Sequence, residues 1–598
     1  MFILVGIYGT ILRYVVSIDF SLSESSWTTR KREEKFKILK EIFKTHAHFE
    51  HARGRKRKRK REMVATHLVA LDENELKSTS ATKRKASSRP KDGAQEQPNN
   101  KFRFEKEQMG KQYASLYFQR LMVLLPGLKQ SVKEQFGTSV PLKRVIQLGA
   151  AVKNDEDDEK GEKKESMDFD EDDMLQENKE NKAARGEEVV IIGTIYKEMA
   201  KKPIILDEYI KTKAGVTKKE QVKHGLMDME ESFVDEEKDF CILEDESARV
   251  KLQGPGVNVG ELVTGVSAAC KGRVNEKGDF IVDSMAFAKP SLAATTTTTT
   301  KEDDGEPTYV CLVSGLNFGV SALNDVRANM LCEFIEGSLG DEKKAGGISQ
   351  VLVCGELVSK TREEECIQGD KGAKATTNGE GTTHAKAEKE ATSLSIEKAD
   401  AFLAKVCEVV PVDVMPGSSD PTNSALPQQP IHSCFLPNAA RFEGSTLNKV
   451  TNPHEFQISS SGASTSSRTF LGTSGQNIRD CLKITSSGVG LKEKALEEKA
   501  KAALDVMEKF LKWGHIAPSA PDTLSCYPFK DTDPFVLTQI PDVFFAGCQS
   551  AFGTREIVVA SQKSVLVSVP SFSETGSVVL LNLKTLKAEE IAFTAARF

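Results

Sequence analysis

The stretch that decides the fold runs from Val412 to Asn423 and reads Val-Asp-Val-Met-Pro-Gly-Ser-Ser-Asp-Pro-Thr-Asn. Its first residues are largely apolar and predict a buried strand. Pro416-Gly417 predicts that this strand ends in a tight turn. The turn then presents Ser418, Ser419 and Asp420 at the end of the strand. The stretch therefore predicts an α/β domain in which loops at strand ends carry the residues of chemical interest.

This arrangement has the shape of a metallophosphoesterase metal loop, in which a buried strand ends in Gly and delivers Asn-His-Asp to a dinuclear metal centre. Here Ser418 and Ser419 stand at the Asn and His positions. Neutral hydroxyls are poor replacements for the amide and imidazole that such a centre needs. The loop therefore indicates that the scaffold is kept and the catalyst is lost.

Four more strand ends resemble the other metal loops of that family. Their glycines at 315, 355, 475 and 547, together with Gly417, are expected to adopt backbone angles that other residues avoid. Asp420 is expected to support its own loop. The predicted vestigial metal-site positions are Gly315, Asn317, Glu356, Ser359, Ser418, Ser419, Ser474, Cys548 and Ser550.

Among these positions only Glu356 is a strong metal ligand, and the histidines at 432, 454 and 515 fall outside the loops. One carboxylate does not hold two metal ions. We therefore predict no catalytic residue, no metal site and no cofactor. The alternative is an active metal-dependent phosphodiesterase or nuclease, which metal analysis would separate from an inactive scaffold.

Length and composition set outer limits. A chain of 598 residues has room for about two to four domains. Its net charge of -5 argues against nucleic-acid binding through bulk electrostatics. The eleven cysteines include no Cys-x-x-Cys pair, which argues against a zinc ribbon, an iron–sulphur site or a disulfide framework within this chain.

The N-terminal region is strongly basic. Residues 53–61 form a continuous basic block apart from Gly54, and Lys83-Arg84-Lys85 forms a second one, a pattern that favours nuclear import. We predict that residues 1–99 are a disordered basic tail, or an extension of the gene model with Met63 as another start. Residues 1–18 are apolar enough to suggest a membrane anchor, but no basic region precedes them. We expect no membrane segment and a nuclear protein.

Ordered structure is expected from residue 100. Residues 100–141 form a predicted helical segment, whose helix covers 113–125 and stops at Pro126-Gly127. Residues 142–300 form a predicted OB-fold domain with an acidic insertion at 154–186. Its predicted strands cover residues 189–196, 240–243, 250–252, 262–266 and 280–283.

The rest of the chain, residues 301–598, alternates between strands and helices and predicts an α/β domain with a central sheet. Strands are predicted at 309–313 and 351–354. Helices are predicted from two apolar faces, and residues 361–393 form a predicted insertion. The two faces consist of Phe402, Leu403, Val406 and Val410, and of Leu504, Met507 and Leu511.

Several blocks in order resemble the small-subunit family of DNA polymerase delta. They are Gln-Tyr-Ala-Ser-Leu-Tyr-Phe at 112–118, Leu-Val-Ser-Gly-Leu at 312–316, Val-Asp-Val-Met-Pro-Gly at 412–417, Asp-Pro-Thr-Asn at 420–423, Leu-Pro-Gln-Gln-Pro at 426–430, Phe-Leu-Gly-Thr-Ser-Gly-Gln-Asn at 470–477 and Ala-Pro-Asp-Thr-Leu at 520–524. The resemblance covers residues 102–598 apart from the insertions. The N-terminal tail and the insertions inherit no function from it.

The resemblance implies an α+β multidomain fold, with an OB-fold β-barrel packed on an α/β calcineurin-like domain that is an inactive metallophosphoesterase. It implies a non-catalytic accessory subunit of the replicative polymerase delta complex, acting in DNA replication and repair synthesis. It also implies two protein partners, the cysteine-rich C-terminal region of the catalytic subunit and a third small subunit. DNA would be contacted indirectly, through the complex.

Two functions remain open for the OB-fold domain. Single-strand DNA binding requires basic residues interleaved with exposed aromatic residues. Tyr196, Lys201 and Lys202 supply some of this pattern, and Glu198 and Asp207 dilute it. We favour protein docking over DNA binding on this basis.

Overall fold

The computed structural model describes residues 101–103, 110, 112–148, 186–202, 232–290, 307–359, 380–459 and 467–594. They all belong to one unit, Lys83–Phe598. The predicted basic tail and most of the two predicted insertions lie outside the described residues. The described helices are α1 (Ala114–Phe136), α2 (Ala322–Ile335), α3 (Glu342–Gly347), α4 (Glu380–Cys407), α5 (Gln476–Ile484), α6 (Leu496–Trp513) and α7 (Phe572–Thr575).

Helix α1 is longer than the sequence predicts. It continues through Pro126 to Phe136, so the prediction of a stop at Pro126-Gly127 is wrong. Leu124 and Leu128, on either side of the proline, are both buried against the neighbouring barrel, and this packing outweighs the lost backbone hydrogen bond. A Cβ atom on Gly127 would lie 2.7 Å from the Lys289 carbonyl oxygen, so glycine lets the helix approach the barrel here.

Short strands after α1 close into a small barrel. They are β1 (Leu142–Lys143), β2 (Val189–Glu198), β3 (Phe240–Glu244), β4 (Arg249–Gln253), β5 (Ser267–Val274) and β6 (Phe280–Phe287). β2 pairs with both β3 and β5, β3 pairs with β4, and β6 joins β4 to β5. The β4–β6 pair is parallel and the other pairs of the ring are antiparallel. This closed five-stranded connectivity is that of an OB-fold, as predicted.

One predicted barrel strand is wrong. Residues 262–266 form a turn, and β5 begins at Ser267. Gly265 adopts a left-handed φ of 90°, and its N–H donates to the Ile195 carbonyl oxygen at 2.8 Å. The segment resembles a strand because Leu262, Val263 and Val266 are apolar, and they are indeed buried in the core.

The remaining strands form two sheets, whereas the sequence pattern predicts a single central sheet. The strands are β7 (Tyr309–Val313), β8 (Ile348–Cys354), β9 (Val412–Met415), β10 (Leu447–Lys449), β11 (His454–Ser459), β12 (Ser467–Thr473), β13 (Val543–Gln549), β14 (Gly553–Val559), β15 (Gln562–Pro570), β16 (Ser577–Asn582) and β17 (Ala588–Ala592). One sheet has the order β10-β9-β8-β7-β16-β17, and the other has the order β11-β12-β13-β15-β14.

The two sheets pack face to face between helices. Leu312 and Leu352 of the first sheet share an apolar cluster with Phe470 and Phe545 of the second. Helices α2 and α4 cover the outer face of the first sheet. Helices α5 and α6 cover the second and also contribute to the core of the barrel. The result is a helix–sheet–sheet–helix sandwich joined to the OB-fold.

The predicted helical faces are largely confirmed. Leu504, Met507 and Leu511 are buried on α6. Phe402, Leu403 and Val406 are buried on α4, which ends at Cys407, before Val410. Helix α4 begins at Glu380, so part of the range predicted as an insertion is helical.

A buried guanidinium joins α1, the barrel and the C-terminal domain. Arg120 is fully buried and donates to Asp533 Oδ2 at 2.7 Å. It also donates to the carbonyl oxygens of Gly265 in the barrel and of Pro518 and Ala520 in the C-terminal domain, at 2.8–3.0 Å. A buried charge is tolerated only when its hydrogen-bonding groups are satisfied, and four acceptors meet that condition here.

His515 completes this cluster. Its Nδ1 accepts a hydrogen bond from the Ala517 N–H at 3.1 Å, so the proton of the neutral ring lies on Nε2 and is donated to Asp533 Oδ2 at 2.9 Å. Burial lowers the pKa of His515 to about 4, and the charge of Arg120 adds to this effect. Burial alone would raise the pKa of Asp533, but His515 and Arg120 outweigh it and hold that pKa well below its usual range.

A second buried cation links the barrel to the helical layer. Lys197 on β2 is fully buried, and its Nζ donates to the Ile484 carbonyl oxygen at the end of α5, at 2.7 Å. Burial lowers the pKa of Lys197. In the part of the chain that the structure describes, no helix has the length and apolar character of a membrane span. Residues 1–18 lie outside that part.

We expect Arg120→Met to lower the free energy of unfolding by about 3–5 kcal/mol, because it leaves a buried carboxylate without its guanidinium. The matched control is Arg249→Met, which breaks an exposed ion pair with Glu244 and should cost less than about 1 kcal/mol. Urea denaturation of both variants measures the difference. Equal losses in the two variants would contradict a stabilising role for the buried cluster.

We expect His515 to make the fold sensitive to acid. Between pH 6.5 and pH 4 the unfolded chain protonates this ring and the folded chain does not, so stability falls as the pH falls. From pH 7 to pH 5 the stability advantage of the wild type over His515→Gln should shrink by about 2 kcal/mol. Denaturation at both pH values measures this. An advantage that stays constant would mean that the folded state does not disfavour the charged ring.

Candidate functional site

The predicted metal-loop positions lie at the carboxyl ends of strands in both sheets. β7, β8 and β9 lead into loops that begin at Ser314, Gly355 and Pro416. In the second sheet, Ser474 follows β12, and Cys548 is the next-to-last residue of β13. Ligands of open α/β sheets usually bind at this edge. The structure therefore places the predicted positions where a site would be expected.

Backbone contacts bring the first three loops together. The Gly315 N–H donates to the Gly355 carbonyl oxygen, and the Asn317 N–H donates to that of Glu356, each at 2.9 Å. A Cβ atom on Gly417 would lie 2.3 Å from the Glu356 nitrogen. The third loop thus packs directly on the backbone of the second.

The loop glycines serve two different purposes. Gly315, Gly355 and Gly475 adopt left-handed φ angles of 60°, 95° and 82°, as expected. Gly417 and Gly547 do not have a left-handed φ, so the expectation based on backbone angle is wrong for these two. Both are instead required by close packing, since a Cβ atom on Gly547 would lie 2.1 Å from the Cys354 carbonyl oxygen.

Three non-glycine residues of the predicted site are also left-handed. Asn317, Glu356 and Cys548 have φ angles of 44°, 54° and 52°. This conformation is uncommon for residues with a side chain and costs about 1–3 kcal/mol each. Such strain concentrates at functional sites, and here it occurs at one predicted position in each of three loops.

Glu356 is paired with an arginine that the sequence analysis missed. Arg479 on α5 donates from Nη2 to Glu356 Oε1 at 2.7 Å, and the Ser418 hydroxyl donates to the same oxygen at 2.7 Å. Both side chains of the ion pair are largely buried. Burial alone would raise the pKa of Glu356, but the charge and the hydrogen bond of Arg479 outweigh it and lower that pKa.

The sequence carried one signal for Arg479. The residue lies four positions after Gly475, so it is about one helical turn beyond the fourth predicted loop, and the Arg479 N–H donates to the Gly475 carbonyl oxygen. A cation at this spacing faces the same edge as the loop. Looking only for metal ligands left it out.

Asp420 supports its loop as predicted. The carboxylate accepts hydrogen bonds from the backbone N–H groups of Gly417 at 2.7 Å and Val358 at 2.9 Å. Burial raises the pKa of Asp420 to about 6, although these N–H groups act in the opposite direction. The side chain ties the second loop to the third and is fully engaged in doing so.

Ser474 belongs to a separate network of amides. Asn452 donates from Nδ2 to Ser474 Oγ at 2.6 Å and to Gln428 Oε1 at 2.8 Å, and its Oδ1 accepts from the Ser474 N–H. Gln428 in turn donates to the Gly417 carbonyl oxygen at 2.9 Å. This network fixes the third and fourth loops relative to each other, and Ser474 does not contact the Glu356–Arg479 pair through it.

The remaining predicted positions are distributed around the cluster. Asn317 donates to Ser573 Oγ at 3.1 Å. Cys548 lies beside Glu356, and burial raises its pKa well above the usual value, so its thiol is neutral. Ser359 is buried, Ser550 is exposed, and the buried Ser419 hydroxyl has no hydrogen-bond partner among the described residues.

The described histidines of this domain are engaged elsewhere. His432 accepts a hydrogen bond from the Cys434 N–H, His454 stacks on Phe456, and His515 belongs to the Arg120 cluster. Within the described ranges, no three His, Cys, Asp or Glu side chains form a group that could hold a metal ion. The arrangement at the strand ends is therefore a network of hydroxyls and amides around one ion pair.

Both halves of the chain match known families. A family described as "DNA polymerase delta subunit OB-fold domain" matches residues 112–285, and a family of the B-type subunits of DNA polymerases alpha and epsilon matches residues 310–554. The chain is 32% identical to the DNA polymerase delta small subunit of Arabidopsis thaliana, over 83% of this chain and 94% of that protein. It is 34% identical to the proteins of the same name from Oryza sativa subsp. japonica and Saccharomyces cerevisiae.

The two alignments at 34% identity cover 69% and 67% of this chain, and 85% and 78% of the rice and yeast proteins. The chain belongs to the DNA polymerase delta small-subunit family. It is accordingly an accessory subunit of the polymerase delta complex, as the resemblance predicted. For this member of the family, the loops around Glu356 are a site whose chemistry has to be explained without an evident metal ligand set.

We expect Glu356 and Arg479 to stabilise the loops jointly. A double-mutant cycle of Glu356→Gln and Arg479→Met should give a coupling free energy on the order of 2 kcal/mol, because the pair is charge-assisted and largely buried. The control cycle uses Glu556→Gln and Lys563→Met, an ion pair that is mostly exposed and should couple by less than about 1 kcal/mol. Thermal unfolding of the four proteins in each cycle provides the measurement. No coupling between Glu356 and Arg479 would contradict the pair's structural role.

Proposed function

We propose that this protein acts as a scaffold, and that its α/β domain is an inactive, calcineurin-like metallophosphoesterase domain. The observation that carries the proposal is the Glu356–Arg479 ion pair. Glu356 is the strongest metal ligand predicted in these loops, and a guanidinium and a hydroxyl already bind its Oε1 atom. A fixed cation supplies the countercharge that a metal ion would otherwise supply.

The surrounding loops support the same interpretation. Left-handed backbone at Asn317, Glu356 and Cys548 is costly and is typical of functional sites. The side chains now presented there are an amide, a paired carboxylate and a neutral thiol, which do not make the ligand set of a dinuclear centre. We infer that the geometry of a phosphoesterase is kept while its chemistry is absent.

The alternative function, a metal-dependent phosphodiesterase or nuclease, requires several anionic or imidazole ligands around two metal ions. Asp420 is the other carboxylate in these loops, and its oxygens accept backbone N–H groups of two loops. Recruiting it for a metal would disconnect those loops. The contacts of both carboxylates therefore favour the scaffold.

The partners follow from the family resemblance. We propose that the chain binds the cysteine-rich C-terminal region of the polymerase delta catalytic subunit and a third small subunit, and that it meets DNA only through the complex. We propose a nuclear location, with import directed by the basic blocks of residues 1–99. We also propose the division into a helical segment at 100–141, an OB-fold domain at 142–300 and an inactive phosphoesterase domain at 301–598.

The outer face of the barrel favours protein docking over DNA binding. Tyr196 and Phe240 lie on this face, with Lys202 and Lys251 placed over their rings. Lys202 also forms an ion pair with Asp522, so the positive charge available to phosphate is reduced. Single-strand binding needs a positively charged groove along several stacking residues. A surface of mixed charge with a few aromatic side chains is more typical of a protein interface.

Coexpression with the catalytic and third subunits tests the scaffold. We expect the three chains to co-purify, and we expect the complex containing Glu356→Gln to synthesise DNA at close to the wild-type rate, because no reaction depends on that carboxylate. The purified subunit should contain no stoichiometric metal and should not hydrolyse a generic phosphodiester in Mn²⁺. Lys563→Gln, at an exposed position, is the matched control.

Two results would overturn the proposal. One is a Mn²⁺-dependent hydrolysis by the purified subunit that Glu356→Gln abolishes and Lys563→Gln preserves. The other is a wild-type subunit that remains a stable monomer in the presence of both proposed partners. The first would restore the enzyme hypothesis, and the second would remove the scaffold role.

A further inference from the structure

The solvent-facing side of α1 carries large apolar side chains. Phe118 is 43% exposed and Met122 is 42% exposed. The two are four residues apart, so they lie side by side on one face of the helix. Val123, next to them, is 49% exposed. Single exposed apolar residues are normal on a protein surface, but adjacent ones on the same face require an explanation.

This face does not contribute to the packing of α1 on the barrel. The helix is held by Leu116, Arg120, Leu124 and Leu128, which repeat every four residues on the opposite side. Phe118 and Met122 therefore remain in water in the isolated subunit. Phenylalanine and methionine are among the residue types enriched in protein interfaces.

The backbone next to these side chains offers a hydrogen-bond acceptor. Pro126 has no N–H group and so cannot donate to the Met122 carbonyl oxygen, which would be its partner in a regular helix. Met122 and Pro126 are both exposed, on the same side of the helix. A partner could satisfy this carbonyl oxygen while covering the apolar side chains.

The same face becomes basic toward the end of the helix. Lys129 and Lys133 are exposed and form no ion pair within the part of the chain that is described, while the neighbouring Glu134 is paired with Lys289. Lys133 lies in the last turn, where a cation stabilises the helix dipole. Lys129 lies about two turns from the end, beyond the reach of that effect. Its charge is thus available to an acidic partner.

From this face we propose that α1 is a docking surface for a polypeptide segment of another subunit of the polymerase complex, with aliphatic side chains that cover Phe118 and Met122 and acidic side chains that meet Lys129 and Lys133. The inference rests on the assembly proposed above. A nucleic acid fits this face less well, because it offers one exposed aromatic ring and two unpaired cations, whereas single-strand binding uses several of each.

The test compares two matched double variants of the full chain, each coexpressed with the catalytic and third subunits. Phe118→Glu/Met122→Glu places negative charge on the proposed surface. Leu323→Glu/Val326→Glu makes the same change on α2, where both residues are also exposed. We expect the first to weaken retention of a partner subunit by at least about tenfold, as for a pair of interface anchors. The second should have no effect, and the thermal midpoints should match.

A cross-link identifies the occupant. A photoreactive benzoylphenylalanine at position 118 should capture a peptide of one partner subunit that contains aliphatic residues beside acidic ones. Lys129→Glu/Lys133→Glu should reduce the yield of that cross-link severalfold, and high salt should do the same.

The outcomes separate this inference from the scaffold proposal. If the wild-type chain retains neither partner, the scaffold proposal fails, and the docking inference fails with it. If the wild-type chain retains its partners and Phe118→Glu/Met122→Glu behaves like the α2 control, only the docking inference is overturned. A cross-link to DNA, or to a peptide without acidic residues, would also overturn it.

Discussion

The buried ion pair between Arg120 and Asp533 is the interaction on which the rest of the architecture depends. Its guanidinium comes from the N-terminal helix, its carboxylate comes from the C-terminal domain, and a further acceptor at Gly265 comes from the barrel. A buried charge requires its partners, so these parts of the chain cannot separate without leaving ions unpaired in an apolar core. The neutral His515 ring and the Lys197–Ile484 hydrogen bond extend the same constraint.

A rigid joint of this kind suits a subunit that positions other chains. The barrel core and the core under α5 and α6 form one continuous apolar cluster, so the OB-fold and the α/β domain share buried surface and do not merely touch. Large apolar interfaces within a chain restrict relative domain motion. An accessory subunit of a polymerase complex benefits from such fixed geometry, because its docking surfaces keep their spacing.

The strand-end loops show how a site can keep its shape while its side chains change. Backbone contacts between Gly315 and Gly355, and the close approach of Gly417 to Glu356, hold the loops in place. Arg479 and Ser418 then neutralise and solvate the one carboxylate that points into the cluster. Because a guanidinium cannot activate water as a metal ion does, the same fold is left with a structural role.

The sequence by itself determined the class of each domain and the positions of the loops. Strand signals at 189–196 and 309–313, and the turn at Pro416-Gly417, depend on local periodicity and turn chemistry, which a sequence displays directly. The family blocks fixed the identity. Only the tertiary structure decided that the α/β domain has two sheets, that α1 continues through Pro126, that 262–266 is a turn, and that Arg479 pairs with Glu356. Each of these depends on contacts between residues far apart in the chain, where packing and charge pairing outweigh local preference.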